Sequence, residues 1–381
     1  MNYRMLGGTG LRISEISLGS WTTYGGSVAE SDAVPIIHRA FELGINLFDT
    51  ADVYVRGAAE RALGAALKSL PREQVVVATK VMGRVWDGPL GAGLSRKHIF
   101  DAMDQSLKRL GLDYVDLYQA HAPDKSAPIE ETLRAFEDLV RAGKARYVGV
   151  SNFDKDPPLL RKAVAIQNAR GWDRLVSSQP RYNLLEPRIE TEHMPFCKRN
   201  GIGLIAYSPL LQGVLTNKYA GGAIPEGSRA TNRFKHFLAD EKALTPENVA
   251  AAERFAAWVA KRGLGTPAQV ALAWVLRRPE ISSAIIGATS IAQLEENLKA
   301  QEIKLSAAEW ADAQAAAWGR AGKMAGRSAA ARKTARSGPR RVAARRPARG
   351  GARKGQGVVP ATPARRSSGR IAAKGAGGRA R

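Results

Sequence analysis

The 381-residue chain is 44% hydrophobic, ample for one large core or two smaller ones, and carries a formal net charge of +23 at pH 7. Of its 58 Lys and Arg, 19 fall in residues 319–381, where there is no Asp or Glu, so the 39 that precede face 35 acids and the body is near neutral. A single cysteine, Cys197, excludes an internal disulfide framework, no apolar run approaches the roughly 20 residues of a membrane span, and the first residues lack a secretory core. A soluble, cytoplasmic protein with no membrane partner is expected. Cys197 reads as a small core or surface residue in a helical stretch, with a redox centre as the sharper alternative.

Taken in order, Tyr3 to Ser14 reads as a hairpin whose Gly7-Gly8-Thr9-Gly10 supplies the turn. A nucleotide loop is the other reading of those glycines, but no strand precedes them and no helix follows. Ile16 to Leu18 is a first strand, opening into Gly19-Ser20-Trp21. From there helix and strand alternate: helix Val34 to Leu43, a strand ending at Asp49, helix Ala59 to Leu67, strand Val75 to Lys80, and helix Ser95 to Leu110 begun by an N-capping serine. A strand ending near His121 follows, then helix Ile129 to Ala142, strand Tyr147 to Ser151, helix Pro158 to Arg170 and strand Val176 to Gln179. The series closes with a helix near Arg188 to Lys198, strand Gly203 to Tyr207, helices Pro246 to Arg262 and Pro267 to Arg277, strand Ala284 to Ile286 and a helix near Ala307 to Trp318. Eight strands with intervening helices fit a closed (β/α)8 TIM barrel over residues 1–318. An open doubly wound sheet is weakened by the missing Gly-x-Gly-x-x-Gly after the first strand. The connection from Leu211 to Thr245 is long enough to be a lid or binding loop, and it carries Lys218, Arg229, Arg233 and Lys235, which suit an anionic ligand.

Three strand ends carry chemistry. Asn46-Leu47-Phe48-Asp49 delivers an acid with Tyr54 five residues on, Val75-Val76-Val77-Ala78-Thr79-Lys80 ends in an amine, and Val115 to Ala120 is followed by the imidazole of His121. Taken singly, Asp49 reads as a turn cap, Lys80 as a solvated charge, His121 as a core histidine and Tyr54 as an amphipathic rim residue. Taken together they could deliver a proton to a developing oxyanion, such as the alkoxide of a reduced carbonyl, the reaction that the resemblance given next implies. Tyr54 is the donor in this reading. A free phenol, with a pKa of roughly 10, holds its proton firmly; Lys80 would favour the phenolate, Asp49 would orient Lys80, and His121 would polarise the substrate oxygen.

In this order and these contexts Asp49, Tyr54, Lys80 and His121 resemble the catalytic tetrad of the aldo-keto reductases. The resemblance runs from Tyr3 to Trp318 and is greatest to the branch of potassium-channel β subunits and bacterial reductases, through Gly19-Ser20-Trp21, Gly93 to His98, Tyr207-Ser208-Pro209-Leu210, Gly287-Ala288-Thr289 and Gln293 to Asn297. It implies that Ser20, Trp21 and Asp49 line the cofactor, that Ser151, Asn152 and Gln179 hold a nicotinamide carboxamide, and that Tyr207 stacks on the ring. It further implies that Ser208, Pro209 and Leu210 continue beneath the pyrophosphate, that Lys218 and Arg229 clamp the phosphates, and that Gly287, Thr289, Gln293, Glu296 and Asn297 take the adenosine end. The basic groups favour NADPH/NADP over NAD. Channel β subunits are expected to carry asparagine where His121 stands, so an efficient reductase is favoured over a slow nicotinamide-sensing subunit. Trp21, Tyr24, Tyr54, Trp86 and His121 suit an aromatic-lined pocket for a small carbonyl substrate, although Trp86 reads equally as a loop anchor. No metal is expected.

The stretch 319–381 has too little apolar surface to fold alone and is expected to be a disordered basic tail. Three readings stay open: a tether to nucleic acid or another polyanion, a passive extension, and translation past the natural end of a GC-rich gene. Without aromatic residues after Trp318, any nucleic-acid contact would be phosphate-driven and salt-dependent.

Overall fold

Alternation of short apolar runs with helical stretches produces, in this computed structural model, eight parallel strands closed into a barrel. The structure describes residues 1–319; the rest of the basic tail, 320–381, lies outside the described residues. The expected hairpin is present, β1 (Tyr3–Met5) pairing antiparallel with β2 (Arg12–Ser14) in the register Tyr3↔Ser14. The barrel strands are β3 (Ile16–Gly19), β4 (Leu47–Asp49), β5 (Val76–Val81), β6 (Val115–Ala120), β7 (Ala145–Ser151), β8 (Leu175–Gln179), β9 (Gly203–Ala206) and β10 (Ile281–Ile286). They pair in chain order, and β10 returns to β3 through Ala284↔Ile16 and Ile286↔Leu18. The open doubly wound alternative is thereby excluded.

Helices make the crossovers: α1 (Glu30–Glu42), α2 (Ala58–Leu67), α3 (Arg96–Leu110), α4 (Ile129–Arg141), α5 (Pro157–Arg170) and α6 (His193–Arg199). After β9 come α7 (His236–Asp240), α8 (Pro246–Arg262), α9 (Pro267–Leu276), then α10 (Ile291–Leu298) and α11 at 307–319. Their starts follow from side-chain caps that satisfy otherwise unpaired amides. Ser95 Oγ accepts from His98 N, Asp156 and Thr245 do the same ahead of Pro157 and Pro246, and Thr266 with Gln269 forms a reciprocal box. Two expectations shift. Helix α1 begins at Glu30, four residues before Val34, and holds Pro35 inside; the acids Glu30 and Asp32 favour the positive N-terminal end, Pro35 forfeits one backbone bond, and burial of Ala33, Ile36, Ile37 and Ala40 offsets the loss. The stretch expected as one helix from Arg188 divides into a 3-10 turn, Arg188–Glu190, and α6. Pro195 explains the break, because its ring cannot follow a continuous helix through residue 191. Among the described residues no helix is long and apolar enough to cross a membrane.

Strand alternation sets what faces the barrel axis. Leu47, Val76, Ala78, Leu117, Ile205 and Ile285 pack together inside, and Leu6 and Ile13 of the hairpin join them. The outward set, including Phe48, Val77, Val81 and Tyr118, packs against the helices. Side chains two apart share a face, so Asp49 continues the inward row of Leu47, and Lys80 that of Val76 and Ala78. On β8 a register shift opposite Val148 and Gly149 alters the alternation, leaving Ser177 and Gln179 turned inward. Gly149 is required there: a Cβ at that position would lie 2.0 Å from Ser177 Oγ.

Candidate active site

Because all eight strands run the same way, their C-terminal ends bring the functional side chains to one rim. Lys80, fully buried, is the hub. Its Nζ donates to Asp49 Oδ1 at 2.5 Å, to Thr50 O at 2.8 Å and to Tyr54 Oη at 3.2 Å, which uses all three ammonium protons. Tyr54 follows β4 by five residues, at the start of a 3-10 turn, Tyr54–Gly57, in which Val55 and Arg56 hold φ of 48° and 53°. Two consecutive non-glycine residues in the left-handed region store backbone strain next to the phenol. His121, first residue after β6, places Nε2 3.4 Å from Tyr54 Oη, with the two rings edge to face. The sequence-predicted acid, phenol, amine and imidazole therefore meet as one group.

A second layer fixes that group. Gln179 Nε2 donates to Asp49 Oδ2 at 2.8 Å, and Ser20 N donates to Asp49 O at 3.0 Å. Asn152, itself at φ 62°, donates from Nδ2 to His121 O at 2.9 Å and to Ser151 Oγ at 3.1 Å, while its Oδ1 accepts from Tyr207 Oη at 2.8 Å. Ser151 Oγ in turn donates to Gln179 O. Ser20, Ser151, Asn152, Gln179 and Tyr207 thus lie around the four central residues, and β4, β6, β7, β8 and β9 are tied together at the rim.

Burial governs the protonation states. His121 is pushed down to about 3 by burial and then by the Lys80 charge, so its imidazole is neutral at neutral pH. Burial also pulls the Lys80 ammonium below its ordinary value, with Asp49 opposing. The Tyr54 phenol is held well above its ordinary value by burial, then by Asp49, Asp52 and Glu241. Lys80 favours the phenolate, as expected from the sequence, but burial and the acids outweigh it and Tyr54 keeps its proton.

The long loop after β9 crosses to the opposite side of the rim. Arg229 donates to Gln212 Oε1 at 3.0 Å and to Thr22 Oγ1 at 2.7 Å, and its guanidinium lies 4.9 Å from the centre of the Trp21 ring. Trp21 also packs on Phe237 of α7, with ring centres 4.9 Å apart. Arg233 reinforces the crossing by donating to Gly25 O and Gly26 O. Ser208 adopts φ 52°, and the turn through Pro209 and Leu210 closes with Leu211 N donating to Ser208 O at 3.0 Å. Among the described residues neither half-buried Arg229 nor exposed Lys218 is bonded to a carboxylate. Two cations on one loop without a bonded anion fit a ligand that brings negative charge, as a dinucleotide does.

The remaining predicted residues lie apart from the central four. After β10, Gln293 Oε1 accepts from Thr289 N at 3.0 Å and from Thr289 Oγ1 at 2.9 Å, and Glu296 accepts from Gln269 Nε2 at 2.8 Å. Asn297 is buried beside them, and Gly287 faces Thr23, whose Oγ1 would stand 3.3 Å from a Cβ. Trp86 packs on His98, ring centres 4.8 Å apart, and His98 is bonded through Nδ1 to Leu90 O at 2.9 Å. This contact anchors its own loop and gives no direct link to the tetrad. Nothing local in the sequence marks Thr22, which meets Arg229 across 207 residues, or Gln212, which meets it across 17. Asp52 did leave a signal, an acid between two catalytic candidates in an otherwise apolar stretch.

The Aldo/keto reductase family profile matches residues 15–317. A probable voltage-gated potassium channel subunit beta of Arabidopsis thaliana is 38% identical over 317 residues, covering 80% of this chain and 92% of its own length. A putative counterpart in Schizosaccharomyces pombe is 40% identical over 307 residues, covering 79% and 88%. L-glyceraldehyde 3-phosphate reductase of Escherichia coli K12 is 37% identical over 310 residues, covering 79% and 87%. The arrangement at the rim and these likenesses lead to one conclusion: the chain belongs to the aldo/keto reductase family.

Proposed function

We propose that the protein is an NADPH-dependent reductase of small aldehydes or ketones, with Tyr54 as proton donor. The observation that carries this reading is Lys80 Nζ, bonded at once to Asp49 Oδ1 and Tyr54 Oη within a buried rim. A bound reduced nicotinamide supplies the hydride. Gln179, with Oε1 free of the bond to Asp49, and Ser151 and Asn152 would hold its carboxamide, and Tyr207 would pack on the ring. Ser20, Trp21, Ser208, Pro209 and Leu210 would line the rest of the groove. Lys218 and Arg229 would neutralise the phosphates, and Gly287, Thr289, Gln293, Glu296 and Asn297 would take the adenosine end.

The residues of the chain then manage one proton. Neutral His121 orients the carbonyl oxygen towards Tyr54 through an imidazole N–H. As negative charge develops on that oxygen, the Tyr54 Oη–H bond breaks and the proton goes to the forming alkoxide. The phenolate left behind is stabilised by Lys80, which Asp49 and Gln179 hold in place. Trp21 would wall the substrate side.

A slow nicotinamide-sensing subunit is the competing reading, favoured by likeness to proteins named as channel subunits. His121 argues for turnover, since a neutral imidazole 3.4 Å from the phenol suits carbonyl activation. Spectrophotometric assays with NADPH or NADH and a panel of aliphatic, aromatic and phosphorylated aldehydes test the choice. Multiple turnovers that prefer NADPH support the reductase; tight cofactor binding with no substrate-dependent oxidation supports the sensor. The basic segment 319–381 is proposed as a separate, non-specific tether to polyanions, on its charge alone.

A further inference from the structure

Asp52 stands three residues after Asp49 and two before Tyr54. It is 1% exposed, and among the described residues neither carboxyl oxygen closes a hydrogen bond; the adjacent Val53 N–H is the main group that favours its charged form. Its own N–H donates to Lys80 O at 3.2 Å, which fixes it against β5 beside the lysine.

Among the described residues, the charged and titratable groups facing it are committed elsewhere. The three Lys80 protons go to Asp49, Thr50 and Tyr54. Glu60, fully buried on α2, accepts from Thr79 Oγ1 and from Arg109 Nε, each at 2.6 Å. Arg109, on α3, also donates to Ser106 Oγ, and Tyr118 of β6 donates to Ile99 O. A buried carboxylate that closes no ion pair and no hydrogen bond of good geometry is strongly disfavoured against its neutral acid. In keeping with that geometry, burial and then Glu60 push the Asp52 acid up to about 8, with the Val53 N–H, Arg109 and Lys80 opposing. When ionised, Asp52 is also one of the charges that hold the proton on Tyr54.

We propose that Asp52 is a positioning residue for proton transfer, resident as the neutral acid, which leaves Asp49 as the carboxylate that balances Lys80 beside Tyr54. The inference rests on Tyr54 being the donor. When Asp52 loses its proton to solvent, a second negative charge stands behind the phenol, release of the Tyr54 proton becomes harder, and carbonyl reduction slows. The residue acts through Lys80 and Tyr54 and touches no reacting atom.

The test is kcat for carbonyl reduction at saturating NADPH across the alkaline range, in the full chain and in Asp52→Asn, Asp52→Glu and Tyr54→Phe. Between about pH 7 and about pH 10 the wild type and Asp52→Glu are expected to fall roughly three- to tenfold through a single ionisation. Asp52→Asn, which imitates the neutral acid, is expected to hold its own near-neutral rate level across that range. An alkaline limb in Asp52→Asn with the wild-type midpoint and depth overturns the proposal. Tyr54→Phe keeps the two questions separate: undiminished turnover there removes the donor reading itself, whatever Asp52 does. Should Asp52→Asn not fold, infrared difference spectra of the wild type decide. A protonated-carboxyl band at neutral pH that disappears with the kinetic midpoint supports the proposal, and the lack of one overturns it.

Discussion

Gln179 Nε2 lies 2.8 Å from Asp49 Oδ2, so a side chain from β8 completes the hydrogen bonding of an acid on β4. With Lys80 on the other oxygen, Asp49 is held at both ends. Gln179→Leu would strand one oxygen of a buried carboxylate at a cost of about 1–3 kcal/mol. Chemical unfolding of the ligand-free protein should show that loss, and NADPH titration should show weaker binding. Gln179→Glu would set two carboxylates together and should bind NADPH more weakly still as pH rises.

The Asp49–Lys80 pair makes a sharper stability prediction. Lys80→Met leaves Asp49 buried without its cation and is expected to destabilise the fold by about 3–5 kcal/mol. Adding Asp49→Asn should recover part of that loss without recovering turnover. Denaturant midpoints of the two single variants and the double variant give the coupling, and simple additivity would contradict a shared buried charge network.

His121 carries a pH signature. Its pKa in the folded protein is pushed down to about 3. The sign follows from the unfolded chain, where a histidine titrates near about 6.5. Above that value both states are neutral and the contribution is fully present. As pH falls the unfolded state takes up a proton that the folded state refuses, and stability is lost down to about 3. The His121 ring resonances should therefore stay those of a neutral imidazole at mildly acidic pH in NMR titration, and His121→Asn should flatten that part of the stability profile. A ring titrating near its ordinary value would contradict the buried, Lys80-facing environment.

Arg229 should matter for cofactor affinity and little for the chemical step. Arg229→Ala removes a charge-assisted partner worth about 1.5–3 kcal/mol, so the NADPH Kd is expected to rise roughly 10- to 100-fold. Single-turnover rates at saturating NADPH should change far less. Fluorescence titration and stopped-flow oxidation measure the two separately.

The basic segment predicts binding that ignores sequence. The full chain should bind unrelated duplexes equally at low salt and lose them steeply as salt rises, while a chain truncated after Trp318 should not bind. Equal binding by both would remove the tether reading.

Much of this was legible in the sequence because local rules fix it. The alternation Val76, Ala78, Lys80 turns the amine inward, and Leu47 does the same for Asp49, so two members of the site follow from a period of two. Serine, threonine and aspartate caps ahead of α3, α5, α8 and α9 set those helix starts closely. What escaped depends on distant partners. Arg229 meets Thr22 across 207 residues, Tyr207 meets Asn152 across 55, and the register shift on β8 that turns Gln179 inward exists only against β7. Helix α1 starts early because burial of Ala33, Ile36, Ile37 and Ala40, helped by the acids at Glu30 and Asp32, offsets the penalty of Pro35, a balance that a local proline signal hides.

The most direct test is stopped-flow oxidation of bound NADPH by an aldehyde that the wild type reduces, in wild type and Tyr54→Phe, with NADPH affinity measured in parallel. If Tyr54 delivers the proton, the variant should bind NADPH as the wild type does and lose roughly 10²- to 10⁴-fold in the single-turnover rate. Equal rates in the two proteins would contradict the account and place the proton elsewhere.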